Sequence, residues 1–149
     1  MNVLKTMVSV SVIAIASTNA AQAEKLTLYC SAQEDWCQLM ANTFENTTGI
    51  DVAMTRKSSG ETFAQIKAES SNPKGDVWWG GTGDPHLQAA EEGLTASYVS
   101  PMRDQLHPWA ISQAVSANNK TIGIYSGALG YGYNTDLLEA AGLEAPTCW

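Results

Sequence analysis

Apolar and polar positions along the chain alternate first with a period of two, then with a helical spacing of three to four. Leu26 to Cys30 (LTLYC) alternates and predicts a strand. Glu34 to Phe44 follows, with Trp36, Leu39, Met40 and Phe44 on one helical face, and predicts a helix that buries those four side chains. Gly49 marks the return, and Ile50 to Thr55 (IDVAMT) predicts a second strand. Glu61 to Glu69 is again helical in pattern, with Phe63 and Ile66 facing inward. Beyond the turn Asn72-Pro73-Lys74-Gly75, the run Val77-Trp78-Trp79 is short and apolar on both faces, as a strand at the centre of a parallel sheet would be. A third helix covers roughly Pro85 to Glu92. It reads as having Asp84 for its N-cap, Pro85 at the first helical position and Gly93 just past the end. The order β-α-β-α-β-α predicts an α/β fold with a parallel sheet and right-handed crossovers.

The pattern then loosens. Tyr98 to Lys120 is interrupted by Pro101 and Pro108, and His107-Pro108-Trp109 opens a short helix. Thr121 to Tyr125 (TIGIY) predicts another strand, and Tyr131-Gly132-Tyr133 is strand-like. Asn134 caps a last helix, Thr135 to Ala141, which Gly142 ends.

Composition changes this picture at the two ends of the chain. Met1 to Lys5 carries one positive charge, Met7 to Ala16 is a short apolar run, and Ala21-Gln22-Ala23 has the A-x-A form of a cleavage site. Residues 1–23 therefore predict a secretory signal peptide. The alternative is a membrane anchor, for which the apolar run is shorter than the roughly 20 residues a spanning helix needs. Removing that segment from the 149 residues leaves a length that suits one domain. The formal net charge of −7 argues against nucleic acid and anionic membrane as partners. Export places Cys30, Cys37 and Cys148 in an oxidising compartment. Cys30 and Cys37 are expected to pair across a short loop, the alternative being two buried thiols, and Cys148 is the odd one. Pro146-Thr147-Cys148-Trp149 follows directly on a helical segment, so the sequence is expected to be a fragment.

In an open parallel sheet, ligands bind beyond the carboxyl ends of the strands. Three such ends occur here, each running into a small polar loop that opens a helix. They are Ser31-Ala32-Gln33, then Arg56-Lys57-Ser58-Ser59-Gly60, then Gly80-Gly81-Thr82-Gly83-Asp84. Glycines let backbone approach a ligand closely, and helix N-termini attract anions. The candidate ligand-binding residues are therefore Ser31, Gln33, Ser58, Ser59, Gly60, Gly81 and Thr82, with Arg56 and Lys57 adding charge. Each loop also has a purely structural reading: Ser58 with Glu61 fits a capping box, Asp84 fits a cap, and Ser31 and Gln33 fit a helix start. Enzyme motifs are mostly absent. His86 and His107 stand in unrelated contexts and read as structural residues, and no zinc spacing, G-x-S-x-G elbow or Walker motif appears. Glu34-Asp35 and Glu91-Glu92 are adjacent pairs that do not face one another and read as solvated helix ends. No catalytic residue, metal site or cofactor is assigned.

The stretches LTLYCSAQEDWC, TRKSSGETFAQIKAESSNPKGDVWWGGTGDPHLQAAEEGL and IGIYSGALGYGYNTDLLEAAGL resemble, in order and spacing, the family-1 extracellular solute-binding proteins of ABC importers. The subgroup is the one described as periplasmic iron(III)-binding, which also holds sugar-phosphate and phosphonate binders. The resemblance implies a type 2 periplasmic-binding-protein-like fold, with two α/β lobes that close on a ligand around a hinge. Residues 24–129 would be the first lobe and residues 130–149 the start of the crossover, most of the second lobe being missing. It implies a periplasmic, non-enzymatic monomer that hands a solute to an ABC permease in the inner membrane. Iron binders of the family carry a His or acidic ligand in the first loop, where this chain has Gln33. Ferric ion is a hard cation that wants oxygen anions. The Ser, Thr, Gly and N–H groups of these loops suit an anion instead, so a small phosphorylated solute is the first expectation and ferric ion the second. Two further classes are a periplasmic sensor serving a membrane kinase and a secreted phosphate-ester hydrolase, the latter lacking an evident nucleophile–base pair.

Overall fold

A computed structural model describes residues 25–128 and 130–147. The expected signal peptide, Leu129 and Cys148 lie outside the described residues. Three strands, β1 (Lys25–Cys30), β2 (Asp51–Arg56) and β3 (Val77–Trp79), form one parallel sheet in the order β2-β1-β3. The helices are α1 (Glu34–Thr48), α2 (Ser59–Ala68), α3 (Gly83–Glu91), α4 (Pro108–Ser116) and α5 (Thr135–Ala140), with a 3₁₀ turn at Arg103–Gln105.

The strand order fixes where the helices lie. The crossover through α1 moves outward from β1 to β2, and the one through α2 returns across β1 to β3. Two right-handed crossovers running in opposite directions place α1 and α2 on opposite faces. The period of two on β1 serves both layers. Leu26, Leu28 and Cys30 face α1, where Cys37 and Ala41 complete a core with Val52, Met54 and Trp79. Tyr29 points the other way and its hydroxyl donates to Glu69 on the α2 side at 2.8 Å. Lys67 and Glu92 join α2 to α3 at 2.9 Å.

Cys30 and Cys37 form a disulfide, with their Cα atoms 6.0 Å apart, and both are fully buried. Gly49, at φ 74°, ends α1 in the left-handed conformation. Ser58 and Glu61 make the full capping box of α2, and Asn134 caps α5 through the Leu137 amide.

Several expectations are corrected. The buried stripe of α1 is Cys37 and Ala41; Trp36, Leu39, Met40 and Phe44 are exposed, because the small disulfide side brings the helix close to the sheet and turns the larger face outward. Among the described residues β3 is an edge strand, not a central one, since it pairs there with β1 alone and leaves Val77 exposed. Asp84 does not cap α3: the helix starts two residues earlier, Thr82 holds the N-cap position, and Pro85 is the third helical residue. Neither TIGIY nor Tyr131-Gly132-Tyr133 is a strand. Among the described residues neither has a ladder partner, and a strand is defined by its partner.

Candidate functional site

Cys30 stands opposite both Arg56 and Trp79 in the sheet register, so the three strands end level and release their loops at one edge. Backbone bonds carry this register into the loops. The Ser31 amide donates to the Trp79 carbonyl at 2.9 Å, and the Lys57 amide to the Cys30 carbonyl at 3.0 Å. Arg56 Nε donates to the Ala32 carbonyl at 2.8 Å, so this cation ties the second loop to the first.

Gly80 and Gly81 show why the third loop is glycine-rich. Their φ angles are 76° and 98°, a left-handed region that side chains rarely adopt. A Cβ on Gly80 would lie 2.9 Å from Cβ of Ala32, and one on Gly81 would run into Oγ of Ser59 and Cβ of Ser31. Gly81 is thus the point where the first, second and third loops meet. Ser59 Oγ accepts from the Thr82 amide at 3.0 Å. Ser31 Oγ accepts from Trp78 Nε1 at 2.9 Å and lies 3.1 Å from the buried Thr62 hydroxyl.

The sequence-assigned residues therefore divide. Ser31, Ser59, Gly81 and the Thr82 amide come together. Ser58 sits beside them, but its hydroxyl donates to Glu61 at 2.7 Å within the capping box. Gly60 has an ordinary φ and open space around it. Gln33 is exposed at the N-cap position of α1 and makes no side-chain cap. Thr82 is exposed and likewise makes no side-chain cap. Lys57 turns away to Gln65, at 2.7 Å.

Two features were not assigned from the sequence. Tyr125 places its hydroxyl on the backbone of Gly81, accepting from the amide at 2.6 Å and donating to the carbonyl at 3.1 Å. Its ring stands edge-on to Trp36 at 5.7 Å and tilted to Trp79 at 6.4 Å. Tyr125 ends the TIGIY segment, just before Ser126-Gly127, so treating that end as a fourth loop would have found it. The second feature is His86, stacked on Trp78 at 3.7 Å with Nε2 2.9 Å from the Gly80 carbonyl. Burial lowers the pKa of His86, an effect opposed by that hydrogen bond. This matches its reading as a structural residue.

A cleft of about 1140 Å³ runs from Gly80 and Gly81 along the free edge of β3, with the 121–126 segment as its far wall. Among the described residues no three His, Cys, Asp or Glu side chains gather as a metal site, and no helix is long and apolar enough to cross a membrane.

This architecture recurs in known proteins. An uncharacterised protein from Haemophilus influenzae is 39% identical over 84% of this chain and 36% of its own length. The structure of the periplasmic binding protein P5PA matches with a TM-score of 0.75 and 36% identity, over 85% of this chain and 40% of that one. The periplasmic binding protein AfuA from Actinobacillus pleuropneumoniae, with exogenous fructose-6-phosphate bound, matches with a TM-score of 0.71 and 42% identity, over 86% of this chain and 40% of that one. Iron-bound HitA from Pseudomonas aeruginosa matches more distantly, with a TM-score of 0.54 and 27% identity, over 58% of this chain and 28% of that one. The chain thus spans well under half the length of each of these proteins. Residues 26–123 match the model of the bacterial extracellular solute-binding proteins, and the chain belongs to that family.

Proposed function

We propose that this chain is the solute-capturing part of an ABC importer and takes a small phosphorylated solute at the three strand-to-helix loops. In this reading residues 1–23 are a signal peptide for export to the periplasm. Residues 24–129 form the first lobe, residues 130–149 begin the crossover to a second, and the protein performs no catalytic step. The observation that carries it is the convergence of Ser31, Ser59, Gly81 and the Thr82 amide at one point of the sheet edge. The chain also shares 42% identity with AfuA, a protein whose structure holds fructose 6-phosphate. Hydroxyls and amides at helix starts are donors for a phosphoryl group. Closing two lobes over such a group excludes water and completes the shell. A permease of the inner membrane is the partner that receives the solute.

The test is calorimetric titration of the full-length protein with fructose 6-phosphate. Ser31→Ala and Ser59→Ala are each expected to weaken binding by about 1–3 kcal/mol, the worth of a hydrogen bond to a charged group. Unchanged affinity in both variants would remove these loops from the site.

Ferric ion is the second reading, and the similarity to iron-bound HitA supports it. It asks for oxygen anions, which the converging Ser, Gly and amide groups do not supply. Its ligands would then come from elsewhere in the protein. Native mass spectrometry of the protein recovered from cells separates the two, since an iron adduct and a sugar-phosphate adduct differ plainly in mass.

A further inference from the structure

The Tyr125 phenol makes two hydrogen bonds to the backbone of one residue, accepting from the Gly81 amide at 2.6 Å and donating to the Gly81 carbonyl at 3.1 Å. A single oxygen that accepts and donates at once is a hydroxyl. A fully ionised phosphoryl or sulfate oxygen only accepts, so beside this residue it would meet the amide well and face the carbonyl without a proton. The Gly81 backbone therefore selects for a hydroxyl, whereas donors for a phosphoryl group lie next to it, at the Ser31 and Ser59 hydroxyls. The surroundings suit a sugar ring. The faces and edges of Trp36 and Trp79 flank the phenol, and the cleft opens from Gly80 and Gly81. Tyr125 itself is 38% exposed and belongs to a segment that no strand pairing holds among the described residues.

We infer that the backbone N–H and C=O of Gly81 together form a subsite for a ligand hydroxyl, and that the Tyr125 phenol occupies it until a hydroxyl of a sugar or polyol phosphate displaces it. The inference rests on the phosphorylated-solute reading above and deepens it. The phosphoryl group sits on the three loops, a hydroxyl of the same ligand takes the place of the phenol, and Tyr125 becomes a residue that sets specificity and affinity. With a competing internal group, apparent affinity scales with the fraction of molecules in which the seat is free.

The experiment is calorimetric titration of the full-length wild type and Tyr125→Phe with fructose 6-phosphate and with sulfate. Phenylalanine keeps the ring between Trp36 and Trp79 and removes only the competing oxygen. Fructose 6-phosphate is expected to bind roughly two- to tenfold more tightly to the variant, the span of an ordinary net hydrogen bond. Sulfate, which has no hydroxyl to offer, is expected to gain nothing. An equal gain for both probes would make the seat an anion site and overturn the inference. Unchanged or weaker fructose 6-phosphate binding, with the wild type still binding it, would overturn the inference alone. Absence of fructose 6-phosphate binding to the wild type would overturn the phosphorylated-solute reading as well. Should the variant fail to fold, wild-type tryptophan emission carries the test. Saturation with fructose 6-phosphate must then change it as the phenol leaves Trp36 and Trp79, and constant emission would overturn the inference.

Discussion

Residues 25–93 and residues 94–147 carry similar amounts of apolar patterning and reach different ends. In the first region β1 finds one neighbour, β2, one helix away and the other, β3, two helices away. LTLYC pairs with DVAMTR on one side and VWW on the other, over a core centred on Leu28, Cys30 and Cys37. In the second region TIGIY is as apolar as LTLYC, yet it pairs with nothing among the described residues. Among the described residues, the buried side-chain polar atoms without a hydrogen-bond partner, Thr95 Oγ1, Arg103 Nε and Asn119 Oδ1, all lie in the second region. So do the exposed Tyr98, Met102, Leu137 and Leu143. The contrast teaches that a β-α-β unit brings its own partner within the chain, whereas an isolated apolar run is only half of a strand. The second region nevertheless delivers Tyr125 to the site, from a segment packed against α4: a Cβ on Gly123 would collide with the Trp109 ring.

The sharpest way to break the comparison is to untie the first region. Replacing Cys30 and Cys37 together by alanine opens a bridge that spans seven positions of sequence at the head of β1. A loop of that size is worth about 2–3 kcal/mol through the unfolded chain. The urea midpoint of the double variant should fall accordingly, and an unmoved midpoint would mean that the sheet alone sets the stability of this region.

Gly81→Ala is expected to cost about 1–3 kcal/mol, from a left-handed backbone that alanine resists and from a methyl driven into Ser59 and Ser31. Because the three loops meet there, sugar-phosphate binding should be lost with it. Thermal melts and titration of the same sample check both effects. A variant with full stability and full affinity would show that the loops do not meet as described.

Much of this was legible beforehand, for local reasons. Period-two and period-three spacing marks β1, β2, α1 and α2. The Ser58–Glu61 box, the Asn134 cap and the glycines at 49, 93 and 142 are written in neighbouring residues. What depends on distant residues was not legible. That β3 is an edge depends on a neighbour far away in sequence. That Trp36 and Met40 face outward depends on how closely the disulfide draws α1 to the sheet. That the Thr82 side chain makes no cap while its amide meets Ser59 depends on the register of two strands. Tyr125 was missed because its partner, Gly81, lies 44 positions earlier in the chain.

A smaller effect sharpens the same contrast through pH. Burial lowers the pKa of His86 from its ordinary 6.5. As acid is added, the unfolded chain takes up the proton before the folded one does, so the ring's contribution is full above pH 6.5 and declines as pH falls below it. His86 stacks on Trp78 and holds the Gly80 carbonyl, so the loosening should begin at the third loop. Urea midpoints recorded from neutral to mildly acid pH should show this slope in the wild type and a reduced slope in His86→Phe. Equal slopes would place the sensitivity elsewhere.

The smallest expected change in stability is at Gly60, and there fold and function separate most cleanly. Gly60 lies in the first turn of α2, its φ is ordinary, and nothing approaches within 4 Å of where a Cβ would stand. The fold has no use for glycine at this position: alanine should be tolerated and should stabilise the helix by about 0.5–1 kcal/mol or less. Gly81 is glycine because the chain requires it, whereas at Gly60 only something outside the chain can require it. If the Gly60 backbone approaches the ligand, Gly60→Ala will melt no lower than the wild type and yet bind fructose 6-phosphate more weakly. If melting point and affinity are both retained, the second loop meets the solute through Ser59 alone and Gly60 leaves the site.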